Sequence, residues 1–172
     1  PKPAPPRVSA QARQAYEAGY AAYRRWELRE AIRYLDRALR LVPDWPQALN
    51  VKGAALNFLG RYREGTRLIE RAIRLQPDYE YAYFNLGLAM ELQKKFPAAI
   101  RAYDQALRRN PKNAWSYYGK ACAYAGLRQI RGVVTNLRRA IALNPACQKE
   151  ARTEKDFDPV RGNKEFEALL KQ

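Results

Sequence analysis

Histidine is absent from the 172 residues, and cysteine and serine occur only twice each, as Cys122, Cys147, Ser9 and Ser116. Without an imidazole, the commonest general base and the commonest metal ligand are missing. No serine–histidine or thiol–imidazole pair, and no zinc cluster, can be assembled from what remains. The expectation is a non-enzymatic chain that carries no cofactor or metal. Two cysteines make no disulfide framework and leave the redox compartment open. No apolar run reaches the roughly 18 residues that read as a membrane span, and no signal-peptide pattern is present. The sequence begins at Pro1, so a cytoplasmic location and, after loss of a leader or anchor, an extracytoplasmic one both stay open. Acids are scarce: 17 stand against 32 Lys and Arg, a formal charge of +15. A field of that sign attracts polyanions, acidic proteins and anionic membrane surfaces.

What the sequence does have is a ruler. Pro43, Pro77, Pro111 and Pro145 stand 34 residues apart, the period of a solenoid built from helical hairpins. Four repeats in register, 12–45, 46–79, 80–113 and 114–147, show the same columns. Small residues hold the eighth place (Gly19, Gly53, Gly87, Ala121), and alanine the twenty-seventh (Ala38, Ala72, Ala106, Ala140). Large apolar residues hold the twenty-fourth (Leu35, Ile69, Tyr103, Leu137). Small residues let two helices approach closely while large ones fill the space beside them. Each proline ends a second helix because it has no N–H to continue the ladder. Asp44 and Asp78, directly after their prolines, are placed to cap the next helix. Residues 1–11, rich in proline, read as an extended tail or linker.

These columns resemble the tetratricopeptide repeat, across residues 12–147. The resemblance implies an all-α, right-handed superhelical solenoid of antiparallel helix pairs. The segment 148–172 resembles the capping end of bacterial and organelle members: a short helix, a turn at Phe157–Val160, and a last helix capped by Asn163. Its Phe166, Leu169 and Leu170 share a face that would cover the final repeat. Its six bases and six acids cancel, so the positive excess belongs to the rest of the chain.

Two surfaces are candidates for binding. The resemblance implies a concave groove lined by the first helices, in which members of the family hold extended peptides. Its places carry Tyr16, Tyr20 and Tyr23, then Asn50 and Asn57, then Tyr81 and Phe84 with Asn85 beside them, then Trp115 and Tyr118. Aromatic rings give contact area at low entropic cost, and asparagine can bond a peptide backbone through donor and acceptor together. The clamp by which chaperone-binding members hold a C-terminal carboxylate is not kept: its places carry Tyr16, Tyr20, Val51, Tyr81 and Asn85. Inter-repeat packing is the alternative role for these rings.

The second helices carry the other surface. Arg29, Arg33, Arg37 and Arg40 share a face of the first, Arg63, Arg67, Arg71 and Arg74 of the second, and Arg101 and Arg108 continue the columns. Guanidinium forks suit phosphates and carboxylates, so an acidic protein, a nucleic acid or an anionic membrane surface would fit. Against this, Asp36, Glu70 and Asp104 each lie four residues before an arginine. The pairs Asp36–Arg40, Glu70–Arg74 and Asp104–Arg108 would make this a self-neutralised, solvated face. The leading expectation is an adaptor or assembly scaffold holding a partner protein segment. The alternatives are a polyanion-binding module and a homo-assembling structural protein, with the oligomeric state open.

Overall fold

Each proline of the ruler stands just past the end of a helix in the computed structural model, which describes residues 4–171. The first three residues of the proline-rich tail lie outside the described residues. Eight long helices run in sequence: α1 Ala10–Arg24, α2 Leu28–Leu41, α3 Pro46–Phe58, α4 Tyr62–Leu75, α5 Glu80–Leu92, α6 Phe96–Arg109, α7 Ala114–Gly126 and α8 Ile130–Leu143. The short helix α9 (Ala146–Ala151), a 3-10 turn (Lys155–Val160) and α10 (Lys164–Leu170) complete the chain. No strand occurs among the described residues, and no helix among them is long and apolar enough to cross a membrane. The fold is an all-α solenoid of helix hairpins.

Helix starts differ from the expectation at Asp44. The cap of α3 is Trp45, with Pro46 in the first turn, where a missing N–H costs nothing. Asp44 forms an ion pair with Arg71 instead. Side-chain caps act elsewhere: Ser9 accepts from Ala12 N, Asn113 from Ser116 N, and Asn163 from Glu165 N and Phe166 N. The turns inside the hairpins share one backbone feature. Trp26, Gly60, Lys94 and Arg128, again 34 residues apart, all have positive φ. A left-handed residue closes the first helix of each pair, a conformation that suits glycine and strains any bulky side chain.

The chain packs as two compact units that divide within α5, after Ala89. In the first unit, α1 packs on α2 and α3 on α4, with α2 also against α3. The small columns do what their size allows. A methyl group added at Gly65 would meet the carbonyl oxygen of Gly53 at 2.5 Å, so the backbones of α3 and α4 touch there. Around this crossing lie Leu49, Ile69, Ala72 and Ala82, and a second cluster gathers Ala15, Ala22, Leu35, Ala38, Trp45 and Val51. The tail is not detached along its described length. Ala4–Pro6 line a cleft with Pro46, Gln47 and Leu75, and Val8 packs on the α1–α2 core.

In the second unit, α6, α7 and α8 pack in order, and the C-terminal segment closes over α7 and α8. Phe157 and Phe166, both fully buried, meet at a tilt with centroids 5.2 Å apart, and Phe157 meets the Tyr118 ring edge-on at 5.6 Å. Leu169 and Leu170 are half-buried against the same core. Arg161 fastens the segment by donating to the carbonyl oxygens of Ala151 and Glu154 and to Asp158.

Candidate functional site

In the first unit the tyrosines of α1 and α5 come together although more than fifty residues separate them in sequence. Tyr16 and Tyr20, one turn apart on α1, stack with ring centroids 6.1 Å apart. Tyr81 and Phe84 on α5 stack at 6.0 Å. Tyr81 lies near enough across the gap between the two helices to add to the rise of the Tyr23 hydroxyl. Tyr16, Tyr20, Tyr23, Tyr81 and Phe84 are all half-buried, so each keeps part of its ring open to solvent. Crowding has an electrostatic mark: burial, with Tyr20 and Tyr81 alongside, pushes the Tyr16 hydroxyl up to about 12. Burial also raises Tyr23, Tyr79 and Tyr81. All these phenols therefore stay protonated at neutral pH and act as neutral donors.

Beneath the rings lies a buried polar chain. Asn85 Nδ2 donates to Asn50 Oδ1 at 3.0 Å, and Asn50 Nδ2 donates to the Tyr79 hydroxyl at 3.3 Å. Asn50 is fully buried and Asn85 is 2% exposed, yet Asn85 Oδ1 has no hydrogen-bond partner. A buried acceptor left unmet costs about 1–3 kcal/mol. Two ring residues of this site, Trp45 and Tyr79, were not read from the sequence. Trp45 sits 4.7 Å from Tyr16. Both end their repeats at the thirty-fourth place, and that aromatic match was the available signal.

Three expected groove residues sit elsewhere. Asn57 is 3% exposed, and its side chain lies at the α3–α4 crossing, where a methyl on Gly65 would touch it at 2.7 Å. It belongs to the interior of the hairpin and lines no groove. Tyr118 is buried by Phe157 of the C-terminal segment, with Trp115 packed on its edge at 5.4 Å. The cap therefore occupies the place the partner was assigned at Tyr118. Trp115, in the second unit, keeps an exposed face.

The second unit holds a polar cluster whose members lie far apart in sequence. The Tyr103 hydroxyl donates to Glu91 Oε2 at 2.7 Å, and the donor atoms of Glu91, Cys122 and Asp156 all lie within 4.8 Å of one another. Burial raises the Glu91 carboxyl to about 8, with Asp156 adding to the rise, and burial also pushes the Cys122 thiol well up. Both groups hold their protons at neutral pH where α5 meets the C-terminal segment. Cys122 is a packing residue with its thiol kept neutral. Glu91 occupies the twelfth place, the same column as Tyr23 and Asn57, which was its signal.

The arginines of the second helices are where the columns put them. Arg29, Arg33, Arg37, Arg40, Arg63, Arg67, Arg71 and Arg74 in the first unit, and Arg101 and Arg108 in the second, are all exposed. Their expected neutralisation fails. Asp36 pairs with Lys52 on α3 at 2.6 Å, and Asp104 with Lys120 on α7 at 2.7 Å. Each lysine reaches across from the neighbouring first helix and is itself mostly buried, so its carboxylate bond is less screened than one to a solvated arginine. Among the described residues Arg40, Arg74 and Arg108 make no ion pair.

Comparison with known proteins follows the same lines. Two tetratricopeptide-repeat profiles match residues 58–114 and 102–132. No curated protein matches the sequence. Among solved structures, MamA 41-end from Desulfovibrio magneticus RS-1 superposes with a TM-score of 0.70 at 21% identity, over 95% of this chain and 96% of that one. TTC0263, a thermophilic tetratricopeptide-repeat protein of Thermus thermophilus, gives 0.75 at 21% identity, over 80% and 77% of the two chains. YrrB, described as having an unusual peptide-binding site, gives 0.66 at 20% identity, over 83% and 75%.

Proposed function

Since the chain is a tetratricopeptide-repeat protein, we propose that it is an interaction scaffold whose first unit holds an extended segment of a partner protein. The single observation that carries this reading is the half-exposed ring set of Tyr16, Tyr20, Tyr23, Tyr81 and Phe84 over the unmet carbonyl of Asn85. The rings supply contact area, and their neutral hydroxyls supply polar contacts to the backbone of the partner. Neutral phenols and an amide floor favour a segment read through its backbone and apolar side chains rather than through charge. YrrB, of the same fold, is a precedent for peptide binding on this scaffold.

The test is a pull-down from a lysate of the source organism, or a peptide array, with the wild type, Tyr81→Ala and Asn85→Ala. Aromatic hot spots commonly contribute 2 kcal/mol or more, so Tyr81→Ala should weaken capture by about thirtyfold. Circular dichroism checks that the helices persist. Undiminished capture by both folded variants would move the binding site off this surface.

A further inference from the structure

The outer arginine helices of the first unit carry an unexpected companion. The exposed large hydrophobic residues of this unit are Trp26 at 61%, Leu41 at 45% and Leu59 at 37%. All three border α2 or α4, the helices that carry the arginines. Leu41 is the last residue of α2 and lies four residues after Arg37, on the arginine face. Trp26 and Leu59 close the turns before α2 and α4, and with Glu27, Leu28, Arg29 and Glu30 they line one depression. Trp26 stands there against local preference. Its φ is +65°, in the turn place where the next repeat has Gly60 at +80°. The ring touches Phe58, with centroids 4.7 Å apart, yet most of its surface faces solvent. A strained backbone holding an indole outward is not explained by the core.

Of the eight arginines beside it, Arg71 is paired with Asp44, and the other seven make no ion pair among the described residues. Each helix presents four arginines over about 16 Å, the length of eleven residues. Asp36, the acid centred on the α2 face, is bound to Lys52 on α3. Glu64 at the start of α4 pairs with Arg61 of the preceding turn.

We infer that this face of the first unit docks on an anionic lipid surface, with the α2 and α4 arginines on the headgroup phosphates and Trp26 seated at the interface. Guanidinium groups bind phosphate, and an exposed indole beside Leu59 belongs at the headgroup level of a bilayer. A nucleic acid would use the arginines but leave Trp26, Leu41 and Leu59 idle. They border the charge instead of alternating with it, so bases could not stack between the cations. An acidic protein would meet the same objection unless it brought an apolar patch of its own. The inference uses the outer face only and stands apart from the groove.

The experiment uses the full chain with vesicles of phosphatidylcholine alone and of phosphatidylcholine with phosphatidylglycerol, read by cosedimentation. Duplex DNA and poly-glutamate serve as parallel ligands. Binding should need the anionic lipid and weaken with salt. Arg33→Gln and Arg67→Gln should each lower the partition coefficient about fivefold. Trp26→Gly should lower it about tenfold while leaving binding to DNA unchanged. Glycine suits the turn, so this variant keeps the fold, and circular dichroism confirms it. Quenching of the indole by brominated lipid, lost in Trp26→Gly, would place the ring in the interface. Failure to bind anionic vesicles, equal binding to neutral ones, or indifference to Trp26→Gly would each overturn the inference. Tighter binding to DNA or poly-glutamate than to the vesicles would assign the face to that polyanion.

Discussion

Replacing Glu91 with glutamine should stabilise the second unit, and increasingly so as the pH rises. The carboxyl accepts from the Tyr103 hydroxyl at 2.7 Å and meets Asp156, and burial lifts its pKa from 4.5 to about 8. The folded-state value lies above the unfolded one, so folding favours the protonated acid. Below the unfolded value both states hold the proton and the group is neutral to stability. Between the two values the unfolded chain loses its proton first, and stability falls by about 1.4 kcal/mol per pH unit. The loss amounts to about 3 kcal/mol near pH 7 and levels off above the folded value at about 5 kcal/mol. Glutamine has nearly the same volume, keeps an acceptor for Tyr103, and cannot ionise. Urea denaturation of wild type and Glu91→Gln at about pH 5, 7 and 9 measures the difference directly. The two curves should nearly coincide in acid and separate by several kcal/mol in base. A gap independent of pH would refute the buried-carboxyl argument, because only a titrating group gives it a slope.

Three further outcomes follow from contacts described above. Gly65→Ala should destabilise the first unit by about 1–3 kcal/mol, since its methyl would collide with the Gly53 carbonyl and the Asn57 side chain; an unchanged melting temperature would mean α3 and α4 can separate freely. Phe157→Ala should cost about 3–5 kcal/mol and expose Tyr118, seen as a lower melting temperature and a weakened near-ultraviolet dichroism signal. Asp36→Asn should cost about 1 kcal/mol and tighten binding of anionic vesicles, because a negative charge leaves the arginine face; weaker binding would show that the acid supports the face.

Much of the fold was legible because the repeat writes the same physical instruction four times. A small residue at Gly53 allows the close crossing, a large one at Ile69 fills its flank, and Pro77 stops the helix; none of these depends on distant parts of the chain. The capping segment was legible for the same reason: Asn163 bonds locally, and Phe166 has only to be apolar. The candidate groove was half legible. Tyr16, Tyr20, Tyr81 and Phe84 were chosen by their places in the repeat and stay half-buried, but those places could not tell an open ring from one covered by something else. Tyr118 shares a column with Tyr16 and is buried only because Phe157 returns to it.

Charge pairing shows where local reasoning ends. Helical spacing offered Asp36 to Arg40 and Asp104 to Arg108, and both carboxylates chose a lysine on the following helix instead. An intrahelical pair is worth only a few tenths of a kcal/mol, so a better-shielded partner from a neighbouring element displaces it. The sequence by itself determined the repeat, its helices, its capping segment and its positive charge, because each follows from periodicity, propensity or counting. Tertiary structure alone decided which rings stay open, which arginines stay unpaired and which carboxyl keeps its proton. Those depend on what lies within a few ångströms across the fold, and burial there changes the energy of a ring, an ion pair or a proton by more than any local preference.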